Sequence, residues 1–381
     1  MITRKKANIC LPQTLPNELI EEILLRLPVK SLLRFKCVCK SWLSLISNPQ
    51  FAKLHFDVAK TTQLLLRSCL GSKIDVIDIE APLHGDSMKL VLNIPSSSTT
   101  YKRKSMVNLV GSCRGLILLT TILPYSNLVN FMIWNPSTGF SKQFNKPFNN
   151  TIICGIGYNS SIDGIVVVAI VISRPTSIIE ISSTEVHCFS SRTNSWSYIE
   201  VPFTYQLLGF EFGNGLFLNG ALHWLVRSND LSLKIIAFDV MERKLSEIPL
   251  SHDLTVRLQT YIYHLKVIKG YLCLWYVGSE SLKAELWTMK EYKVQESWTN
   301  SFIFSNIYPI QSFYPIYFTK NGEILGYGRH HTLLKVNEQG ELLDHSKVRR
   351  FINEHSILNY CMYTESLLSL PEDYEKSSKD E

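Results

Sequence analysis

The 381 residues are 45% hydrophobic and 19% charged, with 18 Gly, 15 Pro and a formal net charge of +6; this supports one large or two smaller cores and excludes disordered, collagen-like and coiled-coil chains. The positive charge clusters only at Arg4–Lys6, Lys30–Lys40, Lys102–Lys104 and Arg349–Arg350, none interleaved with stacking aromatics or set in a base-reading motif, so no nucleic-acid partner is expected. The longest apolar run, Ile165 to Ile172, is far short of the ~20 residues that cross a bilayer, so it reads as a buried strand and no membrane span is expected.

Residues 1–10 carry Arg4, Lys5 and Lys6 without an apolar stretch or cleavage site, and read as a disordered basic tail instead of a secretory signal. The nine cysteines include no C-x-x-C, and Cys37 and Cys39 are the only close pair. Reduced thiols in the cytoplasm and nucleus are the simplest account, and the sequons at Asn149 and Asn159 then carry no weight.

From Leu15 to Phe51 apolar residues recur at helical spacing: Leu19, Ile20, Ile23, Leu24 and Leu27, then Leu32, Phe35, Val38, Cys39, Trp42, Leu43 and Ile46. Pro16 fits a first helical turn, Pro28 breaks or restarts the helix and Pro49 is expected to stop the last one, giving two or three short helices. From about Thr61 the pattern changes to short apolar runs separated by Gly, Pro, Asn, Asp and Ser, which predicts strands and turns, with no long helix after Phe56.

These runs repeat. A Gly opening a hydrophobic strand recurs at Gly115, Gly164, Gly220, Gly270 and Gly322, and an aromatic strand ending in a polar turn recurs at Trp134, Phe189, Phe238 and Trp287. Both series step by roughly 50 residues, close to the kelch period. A unit of three or four antiparallel strands cannot cover its own faces, so a propeller of about six blades is expected, closed by the C-terminal run "YCMYTESLLSL" pairing with the first blade. A sandwich or irregular barrel is the alternative, and the fixed period argues against it. Residues 371–381 read as an acidic disordered tail.

The helical segment reads "LPNELIEEILLRLPVKSLLRFKCVCKSWLSLISNPQF". It carries apolar residues on more than one face and is too small for a full core, so it needs a second surface. Its two Leu-Pro steps and its Cys-Val-Cys-Lys-Ser-Trp run resemble the F-box over the whole length. The resemblance implies docking to a Skp-type adaptor protein and, through it, indirectly to a cullin scaffold. The positions matching the adaptor-facing motif are Leu15, Pro16, Leu19, Ile23, Leu27, Pro28, Leu32, Val38 and Trp42, with Trp42 the expected anchor. Lys30, Arg34, Lys36 and Lys40 form a basic rim suited to an acidic adaptor or simply a solvated face.

The β region is also similar to a family. "GSCRGLILL", "IWNPSTG", "FSSRTNSW", "GALHWLV", "IIAFDV" and "ESWTNSF" resemble, in order, the F-box-associated domain of the plant group that includes the S-locus F-box proteins. The expected organisation is a basic tail (1–10), F-box (11–56), connecting segment and first blade (57–110), F-box-associated propeller (111–370) and acidic tail (371–381). Asn135 to Gly139 is hairpin-turn chemistry, and Trp134, Trp196, Trp224 and Trp287 read as inter-blade core.

Two decoys are set aside. "GSCRG" (Gly111–Gly115) mimics a nucleophile elbow, but a β run follows where a helix is required, so Cys113 reads as structural. His330 and His331 have no ligand partners at metal spacing. No catalytic residue, cofactor or metal is expected.

The reading that results is a non-catalytic substrate receptor of an SCF-type ubiquitin ligase, holding an unknown target protein near the ubiquitin carrier. The alternatives are a propeller-based enzyme or sugar-binding module with a structural helical N-terminus, and an F-box protein acting outside the ligase. Connections that break the regular spacing, Leu123–Asn130, Ser173–Thr184, Ser251–Tyr263 and Ser305–Tyr317, are candidates for target recognition. Within the last, Tyr308, Phe313, Tyr314 and Tyr317 are the candidate contacts.

Overall fold

The computed structural model of the chain describes residues 15–58, 62–67, 73–83, 90–95, 106–122, 128–148, 151–172, 184–201, 204–206, 214–228, 230, 232–257, 263–277, 283–304, 313–328, 332–347 and 359–370. The two tails, Tyr308, His330, His331 and most of the four irregular connections lie outside these residues.

Prolines set the helix starts. Pro16 stands as N-cap to α1 (Asn17–Leu25) and Pro28 to α2 (Val29–Phe35). The Cys39 sulfur accepts the Trp42 amide at the head of α3 (Lys40–Ser47). Pro49 does not stop the last helix as expected. It is the first residue of α4 (Pro49–Val58), a position where its missing N–H costs nothing, and Asn48 Oδ1 caps the start by accepting Gln50 N at 2.7 Å. There are therefore four helices here, not two or three.

The remaining strands form six antiparallel sheets, each a propeller blade. In chain order, β1 (Thr62–Arg67), β2 (Lys73–Asp78) and β3 (Leu90–Asn93) begin the first blade. The second holds β4 (Met106–Cys113), β5 (Leu116–Ile122), β6 (Leu128–Trp134) and β7 (Ser141–Pro147). The third holds β8 (Thr151–Asn159), β9 (Gly164–Ile172), β10 (Thr184–Ser190) and β11 (Ser195–Ile199). The fourth holds β12 (Tyr205–Gln206), β13 (Leu216–Leu218), β14 (Ala221–Ser228), β15 (Leu233–Asp239) and β16 (Lys244–Ile248). A short α5 (His252–Arg257) leads to the fifth, with β17 (Tyr263–Ile268), β18 (Tyr271–Val277), β19 (Ala284–Met289) and β20 (Trp298–Phe304). The sixth holds β21 (Tyr314–Phe318), β22 (Ile324–Gly328), β23 (Thr332–Val336) and β24 (Leu342–Lys347). Finally β25 (Asn359–Thr364) pairs antiparallel with β1, from Thr62↔Thr364 to Arg67↔Asn359, and closes the ring.

Neighbouring blades share apolar interfaces, so strands are covered on both faces. All nine residues of β9 are buried for this reason. Trp134, Trp224 and Trp287 are buried between blades and Trp196 is half-buried among Phe131, Phe144, Phe148 and Phe189.

The innermost strands, β25, β4, β8, β12 with β13, β17 and β21, surround the axis. Each inner strand runs from an upper face to a lower one, so the inner-to-second and third-to-fourth turns lie on the lower face. The repeated glycines mark that geometry: Gly115, Gly220, Gly270 and Gly322 sit in the inner-to-second turn with φ of 74°, 76°, 79° and 84°. In the third blade Asp163 takes the positive φ instead, at 47°, and Gly164 opens β9.

Candidate functional site

The helical module has its own small core of Leu24, Val29, Leu32, Ile46, Phe51 and Ala52. His55 joins it by donating from Nε2 to the Leu27 carbonyl at 2.8 Å. Of the nine expected adaptor contacts, Leu15, Pro16, Leu19, Ile23, Pro28 and Val38 are exposed. Leu19 and Ile23, one helical turn apart on α1, are each 49% exposed and Val38 is 60% exposed; in a protein surface such apolar side chains grouped together mark an interaction site. Leu27 and Trp42 are half-buried, and Trp42 leans on Phe35 with ring centroids 5.5 Å apart. Leu32 is fully buried and belongs to the module's own packing, which corrects its assignment as a contact. In the basic rim Lys30, Arg34 and Lys40 are exposed, while Lys36 is half-buried.

The module is seated on the lower face beneath the second and third blades. Lys53 of α4 bonds Asp163 at 2.5 Å, and Asp163 also accepts from Tyr158 Oη at 2.6 Å and pairs with Arg192 at 3.3 Å. Arg114, in the β4–β5 turn, lies 4.4 Å over the Tyr158 ring and 5.5 Å over the Phe56 ring, and reaches Asp57 at 3.9 Å. Burial by itself would raise the Asp163 carboxyl, but hydrogen bonds from Lys53 and Tyr158 and the charges of Lys53 and Arg192 outweigh it and hold it below the usual 3.8. A depressed folded-state value stabilises the fold above 3.8 and loses that contribution as pH falls through the depressed value. Asp163→Asn is therefore expected to be less stable than the parent at pH 6, with the difference vanishing toward the acid end of a urea-unfolding series.

The second fastening comes from the far end of the sequence. After β25 the chain continues as Glu365–Leu370 along the lower face. Leu367 and Leu368 enter the core of the helical module, while Leu370 enters the propeller core between the second and third blades. Asn135, fully buried, donates from Nδ2 to the Ser366 and Leu368 carbonyls at 2.9 and 2.8 Å. Its Oδ1 accepts from Ser137 N at 2.9 Å, the expected turn bond, and from Tyr363 Oη at 3.2 Å. Asn135→Ala leaves two buried carbonyls without this donor, and is expected to cost roughly 2 kcal/mol or more in urea unfolding.

The C-terminal stitch and the Arg114 bridge escaped sequence reading. "NPSTG" was legible as a turn and Gly115 of "GSCRG" as the opening of a strand, but nothing local shows that both receive Glu365–Leu370. Cys113 is buried in the inter-blade core, where desolvation pushes its thiol up to about 12, and β5 follows it.

Of the candidate target contacts, Phe313 is buried among Trp275 and Phe304 and is core, which corrects its assignment. An aromatic type suited to interfaces fits a core equally well. Tyr314 and Tyr317 are half-buried on the inner strand β21, Tyr314 stacked on Tyr327 with centroids 4.7 Å apart. Among the described residues no group of three His, Cys, Asp or Glu side chains could hold a metal ion. No helix there is long and apolar enough to cross a membrane.

Comparison with known proteins agrees with both parts. Residues 13–54 match the F-box domain and residues 68–370 match the F-box associated beta propeller domain. The F-box/kelch-repeat protein At3g23880 of Arabidopsis thaliana is 29% identical over 304 residues, covering 76% of this chain and 79% of that protein. The F-box protein CPR1 of Arabidopsis thaliana is 27% identical over 332 residues, covering 79% and 75%. Among solved structures, the periplasmic gluconolactonase PpgL of Pseudomonas aeruginosa aligns with a TM-score of 0.43 at 11% identity, over 82% of this chain and all of that one (100%). The SapL1 lectin aligns with a TM-score of 0.43 at 8% identity, over 75% and 93%. With a six-bladed ring, a helical module of four short helices and both domain matches in register with them, the chain belongs to the family of F-box proteins that carry an F-box-associated β-propeller domain.

Proposed function

We propose that this protein is the substrate-recognition subunit of an SCF-type ubiquitin ligase, working in the cytoplasm and nucleus. The F-box docks a Skp-type adaptor through Leu15, Pro16, Leu19, Ile23 and Val38, with Leu27, Pro28 and Trp42 at its border, and the cullin scaffold joins through the adaptor. The propeller holds a target protein for ubiquitination and proteasomal degradation. The single observation that carries this reading is the apolar surface left open on a module that is bolted to the lower face. The four irregular connections join strand ends on the opposite, upper face.

Bolting also suits the mechanism. Ubiquitin transfer by proximity requires a fixed span between carrier and target, which raises the effective concentration of target lysines without any side chain of this chain touching the chemistry. Of the competing readings, an enzyme or a sugar-binding module, a glycosidase would draw paired carboxylates from the ring's axis, and the described inner strands carry neither Asp nor Glu.

Replacing Leu19 and Ile23 together by Asp places two charges in the apolar contact. The full chain is expected to lose adaptor binding by at least about a hundredfold in calorimetric titration. The propeller's melting should be unchanged, because both side chains point to solvent. Unchanged adaptor affinity would refute the reading.

A further inference from the structure

The six inner strands stand around the axis of the ring. Read together, "MVNLVGSC", "TIICGIGYN", "YQ" with "LFL", "YHLKVI", "YPIYF" and "NYCMYT" contain one cationic residue, Lys266, and no acid. Lys266 belongs to the fifth blade, yet its Nζ bonds Tyr360 Oη of the first blade and lies 4.9 Å over that ring. The sixth blade stands between those two, so the contact crosses the lumen. Asn214 crosses it likewise, donating to the Leu109 carbonyl at 2.9 Å from the fourth blade to the second.

Around Lys266 stands an aromatic collar. Tyr314 meets the His264 ring edge-on at 4.8 Å and stacks on Tyr327, whose ring lies 6.2 Å from that of Tyr360. Tyr314, Tyr360 and His264 are the first or second residues of their strands, which puts the collar at the upper mouth, the face that the F-box leaves free. Burial, then the nearby Lys266 charge, pushes His264 down to about 3, so at neutral pH its ring adds no charge. The Lys266 ammonium meets no carboxylate among the described residues. One sign of charge in a narrow passage with low-dielectric walls focuses its field along the axis.

We propose that the upper channel mouth is an oxyanion site, in which Lys266 and the hydroxyl of Tyr360 receive an acidic or phosphorylated side chain of the target protein while Tyr314 and Tyr327 pack its flanking residue. This rests on the substrate-receptor reading and names the chemistry by which a target segment is recognised. Ammonium and phenol donors suit a carboxylate or a phosphoryl oxygen alike, and stacked tyrosines supply large contact area at low entropy cost.

The test uses the full chain bound to a Skp-type adaptor and a random decapeptide library that includes phosphoserine. Recovered peptides should share one Asp, Glu or phosphoserine position, and their affinity, by fluorescence anisotropy, should fall about tenfold or more in Lys266→Met. It should be retained within about threefold in Lys266→Arg and in Lys244→Met, an exposed lysine of the lower face. Phosphatase treatment of the peptides separates the two sources: binding that survives is to a carboxylate, binding that is lost is to a phosphoryl group. Recovery of no peptide, peptides with no acidic position, equal binding by Lys266→Met, or equal loss in Lys266→Arg would each overturn the proposal. Adaptor binding, measured on the same preparations, reports separately on the receptor reading.

Discussion

Replacing Leu367 and Leu368 together by Ala is expected to loosen the F-box from the ring and cut adaptor affinity, although neither residue lies in the F-box sequence. Both side chains are almost fully buried in the module's core, beside Leu24, Val29, Leu32 and Phe51. Each buried Leu→Ala change typically costs about 2–5 kcal/mol through lost transfer energy and the cavity left behind. A module of four short helices has little stability to spare. Limited proteolysis should cut first around α1 to α4 while the blades stay protected, and calorimetry should show weakened adaptor binding. Deleting residues 359–381 goes further, because it also strips β25 from β1 and leaves an unpaired edge in the first blade. That chain is expected to be insoluble. An intact F-box in the double variant, equally protected and binding with parental affinity, would contradict the account.

Gly115→Ala is expected to be the most damaging single change at a turn. Gly115 has φ of 74°, and a Cβ there would stand 2.1 Å from Ser366 Cβ and 2.8 Å from the Thr364 carbonyl. Backbone strain alone is worth roughly 1–2 kcal/mol. The collision adds the displacement of the whole Thr364–Leu370 segment, so a total loss above about 3 kcal/mol is expected. Two internal controls isolate the second part. Gly139 and Gly220 have φ of 78° and 76°, and a Cβ at either would meet nothing within 4 Å, so Ala at either should cost only the strain, about 1–2 kcal/mol. Urea unfolding of the three variants decides the matter: equal losses would mean that the C-terminal segment does not bear on Gly115.

Much of this was open to reading in one dimension. The helical spacing from Leu19 to Ile46, the glycine series at roughly 50-residue steps and the returning strand at Cys361 all translate directly into elements, because each is a local or periodic property. Pro49 misled because proline both ends a helix and starts one, and only the Asn48 cap decides between them. Leu32 misled because amphipathic spacing tells which residues avoid water and not whether they meet their own module or a partner. Phe313 misled for the same reason: its ring is packed against Trp275, 38 positions away in the chain, by a distance of 6.1 Å that no pattern encodes. The C-terminal stitch was hidden most thoroughly. Asn135 bonds a carbonyl 233 residues away, and its turn-forming side chain looks the same in sequence whether or not its amide has that second task.

The route of Leu367 and Leu368 has a consequence for biosynthesis. A ribosome makes the F-box helices first, whereas the two leucines that complete their interior, and the strand that shuts the ring, are added only after β24. A polypeptide that stops short of β25 therefore lacks a finished helical module, and adaptor binding is expected to await the packing of Leu367 and Leu368. Completion of the helical core is thus tied to the order in which the parts of the chain are synthesised.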